Sequence, residues 1–241
     1  MQVFFQKILT VGRQTWGGVE CNRLVLPLLG DIVSGIIHKE LNETNEVDII
    51  DAVFEIGDIY IAGIEMLGQY YSDIYIPCVC GNHGRMDKRK QFKNGQGRSF
   101  DYAVYKYIAK AFKREEGITV HAPKSDFAYW EVYGKHFLAT HGDNFRGGSG
   151  TIGELYPILR GHRRHIKQFQ TMGMDYDYLC IGHWHQQHAG VNGVYVNGSI
   201  KGFDEYAISM QYDFQLPMQC MMMVEPHHGI ISTADLYCHE D

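Results

Sequence analysis

No run in this 241-residue chain reaches the roughly 20 consecutive apolar residues that a membrane-spanning helix needs. The opening MQVFFQKILTVGRQ lacks the uninterrupted apolar stretch and small-residue cleavage site of a secretion signal. The six cysteines (Cys21, Cys78, Cys80, Cys180, Cys220, Cys238) are scattered, with no CxxC pair, which argues against both a thiolate zinc site and a disulfide framework. Cytosolic residence in a reducing compartment is the expectation. An excess of positive charge is also missing: the formal charge is -6, so generic nucleic-acid affinity is disfavoured, although local basic patches can persist. No internal repeat, low-complexity tract or linker divides the sequence. With 45% hydrophobic and 21% charged residues it reads as one globular α/β domain spanning 1–241.

Histidine and tyrosine are abundant instead, at 13 and 16 residues. Histidine excess alone says little, so position must decide. The pattern predicts a helix over Val3–Val11, then an apolar strand at Leu24–Leu29 in which Pro27 is awkward for a central position. Ile50, Val53, Phe54, Ile61, Ile64 and Tyr71 recur at helical spacing. A strand follows at Ile74–Cys80, giving a β-α-β unit. Residues Gly84–Phe100 form a basic loop, and Tyr102, Tyr105, Ile108 and Phe112 mark another helix. Strand signal returns at Ile118–His121, Phe127–Val132 and Phe137–Thr140. Beyond the glycine-rich loop Arg146–Gly153, a helical region carries Pro157 and the basic cluster Arg160–Arg164. A buried strand then ends at Gly182, a hairpin occupies Gly190–Gly202, and Cys220–Val224 and Ile230–Tyr237 are further strands.

Four polar blocks each follow directly on an apolar strand: Gly30-Asp31, Gly81-Asn82-His83, His141-Gly142-Asp143 and Gly182-His183-Trp184-His185. An isolated HxH is more often an ordinary surface or core pair, and any one block is weak. Ligands in α/β sheets bind beyond the carboxyl ends of strands, so the four together can converge on one crevice. On a loop leaving a strand, the spacing of His183 and His185 can aim both imidazoles into one cavity. A carboxylate, an amide oxygen and several imidazoles suit Mn²⁺, Fe or Zn²⁺ and not calcium or a thiolate site. Gly57-Asp58 repeats the first pair inside a helical pattern, so Asp58 reads as a helix-surface residue.

In this order the blocks resemble the signature of the calcineurin-like metallophosphoesterases: D-x-H, G-D, G-N-H-[D/E], a later histidine and G-H-x-H. The matching segments are GDIVSG at Gly30–Gly35, GNHG at Gly81–Gly84, THGD at Thr140–Asp143 and GHWH at Gly182–His185, with NGS at Asn197–Ser199 beyond them. The resemblance implies a two-sheet β-sandwich flanked by helices, in αββα layers. It implies two divalent metals, Mn²⁺ first and Fe or Zn²⁺ as alternatives. Asp31 bridges them, Asn82, His141 and His183 complete one, and His185 belongs to the other. His83 is then a non-ligand histidine beside the scissile bond, and the reaction is attack on phosphorus by a metal-activated water. The block spacing further resembles that of bacteriophage phosphoesterases, which would place the protein in a host cytoplasm.

The sequence departs from that pattern twice. Gly84 stands where an acidic residue usually follows GNH, leaving Asp143 as the candidate to orient a ring. No aspartate or histidine occurs in residues 1–30, so the D-x-H ligands are absent and the second metal site is incomplete. The expectation is a chain that begins one strand late, through truncation or a misplaced start. Three readings follow: a metal-dependent phosphodiesterase or nuclease, a binding module that keeps the fold but not the reaction, and a phosphomonoesterase or protein phosphatase. The binding module predicts no turnover with any metal and nucleic-acid or protein affinity that survives chelation. Arg85 is the candidate phosphate contact, with His38 and His188 as further substrate-side candidates. The basic run Arg85, Lys88, Arg89, Lys90, Lys93 and Arg98 would track a nucleic-acid backbone, or simply be solvated beside a smaller phosphoester. His121, His136 and the turn pair His227-His228 read as structural.

Overall fold

The computed structural model describes residues 1–16, 21–37, 43, 45–91, 93–145, 155–202, 208 and 214–239. Strand β1 (Arg23–Val25), helix α2 (Ile49–Gly68) and strand β2 (Asp73–Pro77) make the expected β-α-β unit, with β1 and β2 parallel. Helix α1 (Gln2–Leu9), extended by a wider turn over Thr10–Thr15, precedes it. Helix α3 (Phe100–Ala111) leads to β3 (Ile118–His121), which adds parallel to β2. The second sheet has the order β4-β5-β6-β8-β7, from β4 (Phe127–Val132), β5 (Lys135–Thr140), β6 (Tyr178–Ile181), β7 (His188–Val191) and β8 (Val194–Val196). Its central strands β5, β6 and β8 are parallel, and β4 and β7 run antiparallel at the edges. Helix α4 (Leu155–Thr171) lies between β5 and β6, and the chain closes on a hairpin of β9 (Met218–Glu225) and β10 (Gly229–Tyr237). Residues 146–154, where the glycine-rich loop was placed, lie outside the described residues.

The strand period of two sorts side chains into layers. Leu24, Leu26, Ile74 and Ile76 face a core shared with Phe4, Phe5 and Ile8 of α1, Tyr60, Ile64 and Leu67 of α2, and Val104, Tyr105 and Ile108 of α3. Their neighbours Val25, Tyr75 and Val79 turn the other way and meet Ala128, Trp130, Phe137, Ala139, Cys180 and Tyr195 of the second sheet. The far face of that sheet (Leu138, Leu179, Ile181, Val194, Val196) packs on Ile158 and Phe169 of α4. Each fully buried aliphatic side chain contributes about 1.5–3 kcal/mol relative to exposure. The result is an α/β fold in four layers, helices outside and sheets within. Asp58 is exposed on α2 and accepts a hydrogen bond from the Tyr107 hydroxyl.

One layer is not a single sheet. The hairpin continues the plane of β1–β3, since Met221 and Leu236 join the helix-side core while Cys220, Met222 and Val224 join the core between the sheets. Between β1 and β9, however, lies a cavity of about 280 Å³ lined by Arg23–Pro27, Met221–Val224, Trp16, Tyr71, Trp130 and Phe137. The amides of Leu26 and Leu28 donate to β2, so the intervening Val25 and Pro27 direct their backbone toward the cavity. Pro27, which has no N–H to give, therefore costs no hydrogen bond at this edge.

Candidate metal centre

Parallel pairing fixes where the polar blocks emerge. Thr140 lies beside Ile181 in the β5–β6 ladder, so His141 and His183 leave the second sheet side by side. Leu28 bridges Cys78, so Asp31 and Asn82 leave the first sheet together. The layers are joined at this end by His141, whose Nδ1 donates to the Leu29 carbonyl at 2.7 Å.

The turns that carry the ligands are strained. Asp31, His183 and His185 have φ of 53°, 68° and 57°, a left-handed conformation that costs a non-glycine residue about 1–3 kcal/mol. Gly81 is required by contact: a β-carbon there would sit 2.0 Å from Asp31 Oδ1 and 2.3 Å from its amide nitrogen.

Asp31, His141 and His183 offer ligand atoms that all lie within 4.8 Å of one another. Among the described residues this is the one such group of His, Cys, Asp and Glu side chains. Asn82 belongs with them by geometry, its Oδ1 lying 3.0 Å from His141 Nε2. That same nitrogen is 3.0 Å from Asp31 Oδ2. Because Nδ1 already carries the proton given to Leu29, Nε2 of a neutral His141 is a bare lone pair facing two oxygens. With His141 neutral, Asp31 Oδ2 has no hydrogen-bond partner, and His183 Nδ1, also buried, has none. Converging acceptors of this kind need a cation between them, and an O/N set suits a borderline divalent metal. The residues fit a metal ion.

The electrostatics agree. Burial opposes charge on His141, but the Asp31 carboxylate outweighs it and pushes the imidazole up to about 9, so a proton fills the cation's role when no metal is bound. Burial raises Asp31, and the His141 and His83 imidazoles overcome that to hold its carboxyl well below the usual range. Burial, then repulsion from His141, lowers His183 to about 4, leaving a neutral ring able to ligate.

The two oxygens of Asp31 differ. Oδ1 accepts the backbone N–H of His83 at 2.7 Å, while Oδ2 faces the imidazoles. The buried His83 ring stands beside the cluster without joining it, with Nε2 3.9 Å from Asp31 Oδ2. His185 is outside the cluster but close enough to His183 for their charges to interact. Arg85 turns back on the site, its Nε donating to the Asn82 carbonyl at 3.0 Å. His188 sits on edge strand β7, opposite Val196. His38 lies outside the described residues.

Asp143 does not orient a ring as the sequence suggested. Its carboxylate accepts from Lys90 Nζ at 3.1 Å and 3.3 Å, and Asn144 and Asp126 also face that ammonium. Arg98 is likewise paired with Asp87. The basic run thus spends Arg85, Lys90 and Arg98 on internal contacts.

One residue beside the site has no motif to announce it. Asp101, fully buried in the first turn of α3, accepts from the amides of Asp31 (3.0 Å) and Gly81 (2.8 Å) through Oδ2 and of Ile32 (3.1 Å) through Oδ1. Burial, then the nearby Asp31 charge, raises it to about 6. Nothing in its local sequence, SFDYA, distinguishes it from an ordinary acidic residue at a helix start.

No family model matches the chain, and no curated protein matches it. Among solved structures it is distantly similar to Vps29 from Entamoeba histolytica complexed with Zn²⁺, at 12% identity over 89% of this chain and 98% of that one, with a TM-score of 0.37. It is also similar to a Streptococcus pneumoniae protein described as a predicted phosphoesterase, at 13% identity over 88% of this chain and 95% of that one, with a TM-score of 0.32.

Proposed function

We propose that this chain is a one-metal protein of the metallophosphoesterase type, which binds a phosphate-bearing ligand at a single divalent cation and does not carry out two-metal hydrolysis. The observation that carries this reading is the donor set among the described residues: one cluster, Asp31, His141 and His183, with Asn82 beside it. For a second metal, only Asp31 and His185 come from the family pattern, and Asp31 Oδ1 is already engaged by the His83 amide.

Asp31, Asn82, His141 and His183 would hold the cation, with Mn²⁺ the first candidate. A bound cation there supplies Lewis-acid polarisation of a phosphate oxygen. The residues of the chain do the rest. Leu29 fixes the His141 tautomer, His183 stays neutral, and His83 presents a buried imidazole to a ligand oxygen. Arg85, anchored on Asn82, offers positive charge at the rim. A phosphate-bearing small molecule suits the site better than a long nucleic-acid strand, because Lys90 and Arg98, two of the basic side chains nearby, are already paired with carboxylates.

A second reading, metal-dependent phosphoester hydrolysis assisted by His83, is favoured by the burial of that imidazole beside the cluster. One experiment separates the two. Elemental analysis of Mn²⁺-loaded protein is combined with assays on aryl phosphate mono- and diesters. One metal per chain and no turnover supports the binding reading. Two metals with turnover abolished by His83→Ala establishes the hydrolase, and no bound metal overturns both.

A further inference from the structure

We propose that Asp101 is the positioning residue of the metal centre, a role that rests on the one-metal reading above. Its carboxylate ties the loop that carries Asp31 to the loop that carries Asn82, so that the two ligands are presented at one spacing. Three backbone amides are involved, Asp31, Ile32 and Gly81, and they belong to the turns that follow two different strands. Aligned strands deliver the loops to the same end of the sheet, but a ladder that has ended cannot set their separation. A carboxylate can do so, because its two oxygens accept several donors in fixed directions. Asp101 also stands on a helix, which is a more rigid support than either loop.

Gly84 completes the geometry. A β-carbon at that position would lie 2.6 Å from both Cγ and Oδ1 of Asp101. A side chain at 84 and the Asp101 carboxylate therefore compete for one space under the site. In this chain the carboxylate comes from α3, and the loop residue is reduced to hydrogen to admit it. A carboxylate carried by position 84 would enter the space that the Asp101 carboxylate fills, so the two positions can supply one carboxylate there but not two.

The prediction is reciprocal. Asp101→Ala should weaken Mn²⁺ affinity by about 10- to 100-fold, the loss expected when a group orienting a ligand is removed. Asp101→Asn should lose less, since its remaining oxygen can still accept from the Asp31 and Gly81 amides, while its NH₂ faces the Ile32 amide donor-to-donor and accounts for the loss that remains. Gly84→Asp alone should be as damaging as Asp101→Ala, whereas Gly84→Asp combined with Asp101→Ala should recover most of the affinity.

Mn²⁺ titration calorimetry and the electron paramagnetic resonance spectrum of bound Mn²⁺ measure the site. Amide hydrogen exchange on metal-free full-length protein measures the tie directly. Support consists of weakened binding, an altered Mn²⁺ spectrum, and lost protection at Asp31, Ile32 and Gly81 while β5 and β6 stay protected. Wild-type affinity in Asp101→Ala overturns the proposal, and so does loss of protection spread evenly through the core. If Asp101→Ala fails to fold, the double variant decides: restored folding and binding supports the proposal, and failure to restore them overturns it. A wild-type chain that binds no Mn²⁺ would sink the one-metal reading instead. Exchange at the three amides in Asp101→Asn would then still decide for or against the tie.

Discussion

Toward β2, strand β1 is laddered over Arg23–Val25 and continued by the Leu28–Cys78 bridge, whereas toward β9 the same strand borders a cavity of about 280 Å³. The contacts of the Asp31 turn follow that asymmetry. Its backbone and its Oδ1 are held by Asp101 and His83, which lie on the β2 side, and its Oδ2 faces His141 across the layers. No ligand in the cluster comes from the β9 side. The difference teaches that one laddered edge, plus a buried carboxylate and a facing sheet, is enough to bring one cluster of donors together.

The largest effect should come from removing a ligand on the built side. His141→Ala deletes a donor that also joins the two sheets through Leu29, and it should lower Mn²⁺ affinity by more than about 100-fold. The far-UV circular dichroism should be retained. If calorimetry shows binding unchanged, the cation is held elsewhere and the contrast between the edges loses its meaning.

A smaller effect comes from pH. Metal must displace the proton from His141, so Mn²⁺ affinity should rise about tenfold per pH unit between pH 6.5 and about 9, then level off. Stability of the metal-free chain should move the other way. A histidine raised in the folded state stabilises fully below its unfolded pKa and loses that contribution as pH rises through its folded value. Denaturant melts at pH 6 and pH 9.5 should therefore show the metal-free protein weaker at the higher pH, and the Mn²⁺-loaded protein should lack this His141-linked loss. A flat affinity profile would remove His141 from the ligand set.

The smallest effect is a contrast of about 1–3 kcal/mol between two truncations, one on each edge. Ile76→Ala, in the packed half, should cost about 3–5 kcal/mol, whereas Leu26→Ala, which lines the cavity, should cost about 2 kcal/mol. Equal losses by chemical denaturation would mean that the cavity is filled in solution.

Much of this was legible in the sequence, for physical reasons that differ by element. Strand-end blocks are readable because an apolar run, a glycine and a polar ligand fall in consecutive positions, and this gave Asp31, Asn82, His83, His141 and His183 together. His185, which the resemblance gives to the other metal, stands outside the cluster. His183 and His185 both adopt positive φ, and the Trp184 amide closes on the Gly182 carbonyl. Asp143 was misread because Lys90, which captures it, is 53 residues away. Asp101 was invisible because its three partners are backbone amides, which carry no side-chain signature. The one available hint was Gly84, where a small residue marked a space that something else had to occupy. Pro27 was read correctly as a weak point in pairing, and the structure adds that its outward edge borders the cavity.

That cavity also gives the molecule a mechanical character. The cavity wall is mostly apolar (Trp16, Trp130, Phe137 and several methionines) but also includes Asn22, Arg23, Asn197 and Gln219 and opens in part to solvent, so only its apolar recesses add volume to the folded state without adding contacts. Unfolding releases such volume, and for proteins in general the change is about −20 to −100 mL/mol, scaling with internal voids. Hydrostatic pressure should therefore act unevenly on this chain. The seam between β1 and β9 should be compressed first, while the clamped end that holds Asp31 and His141 yields last.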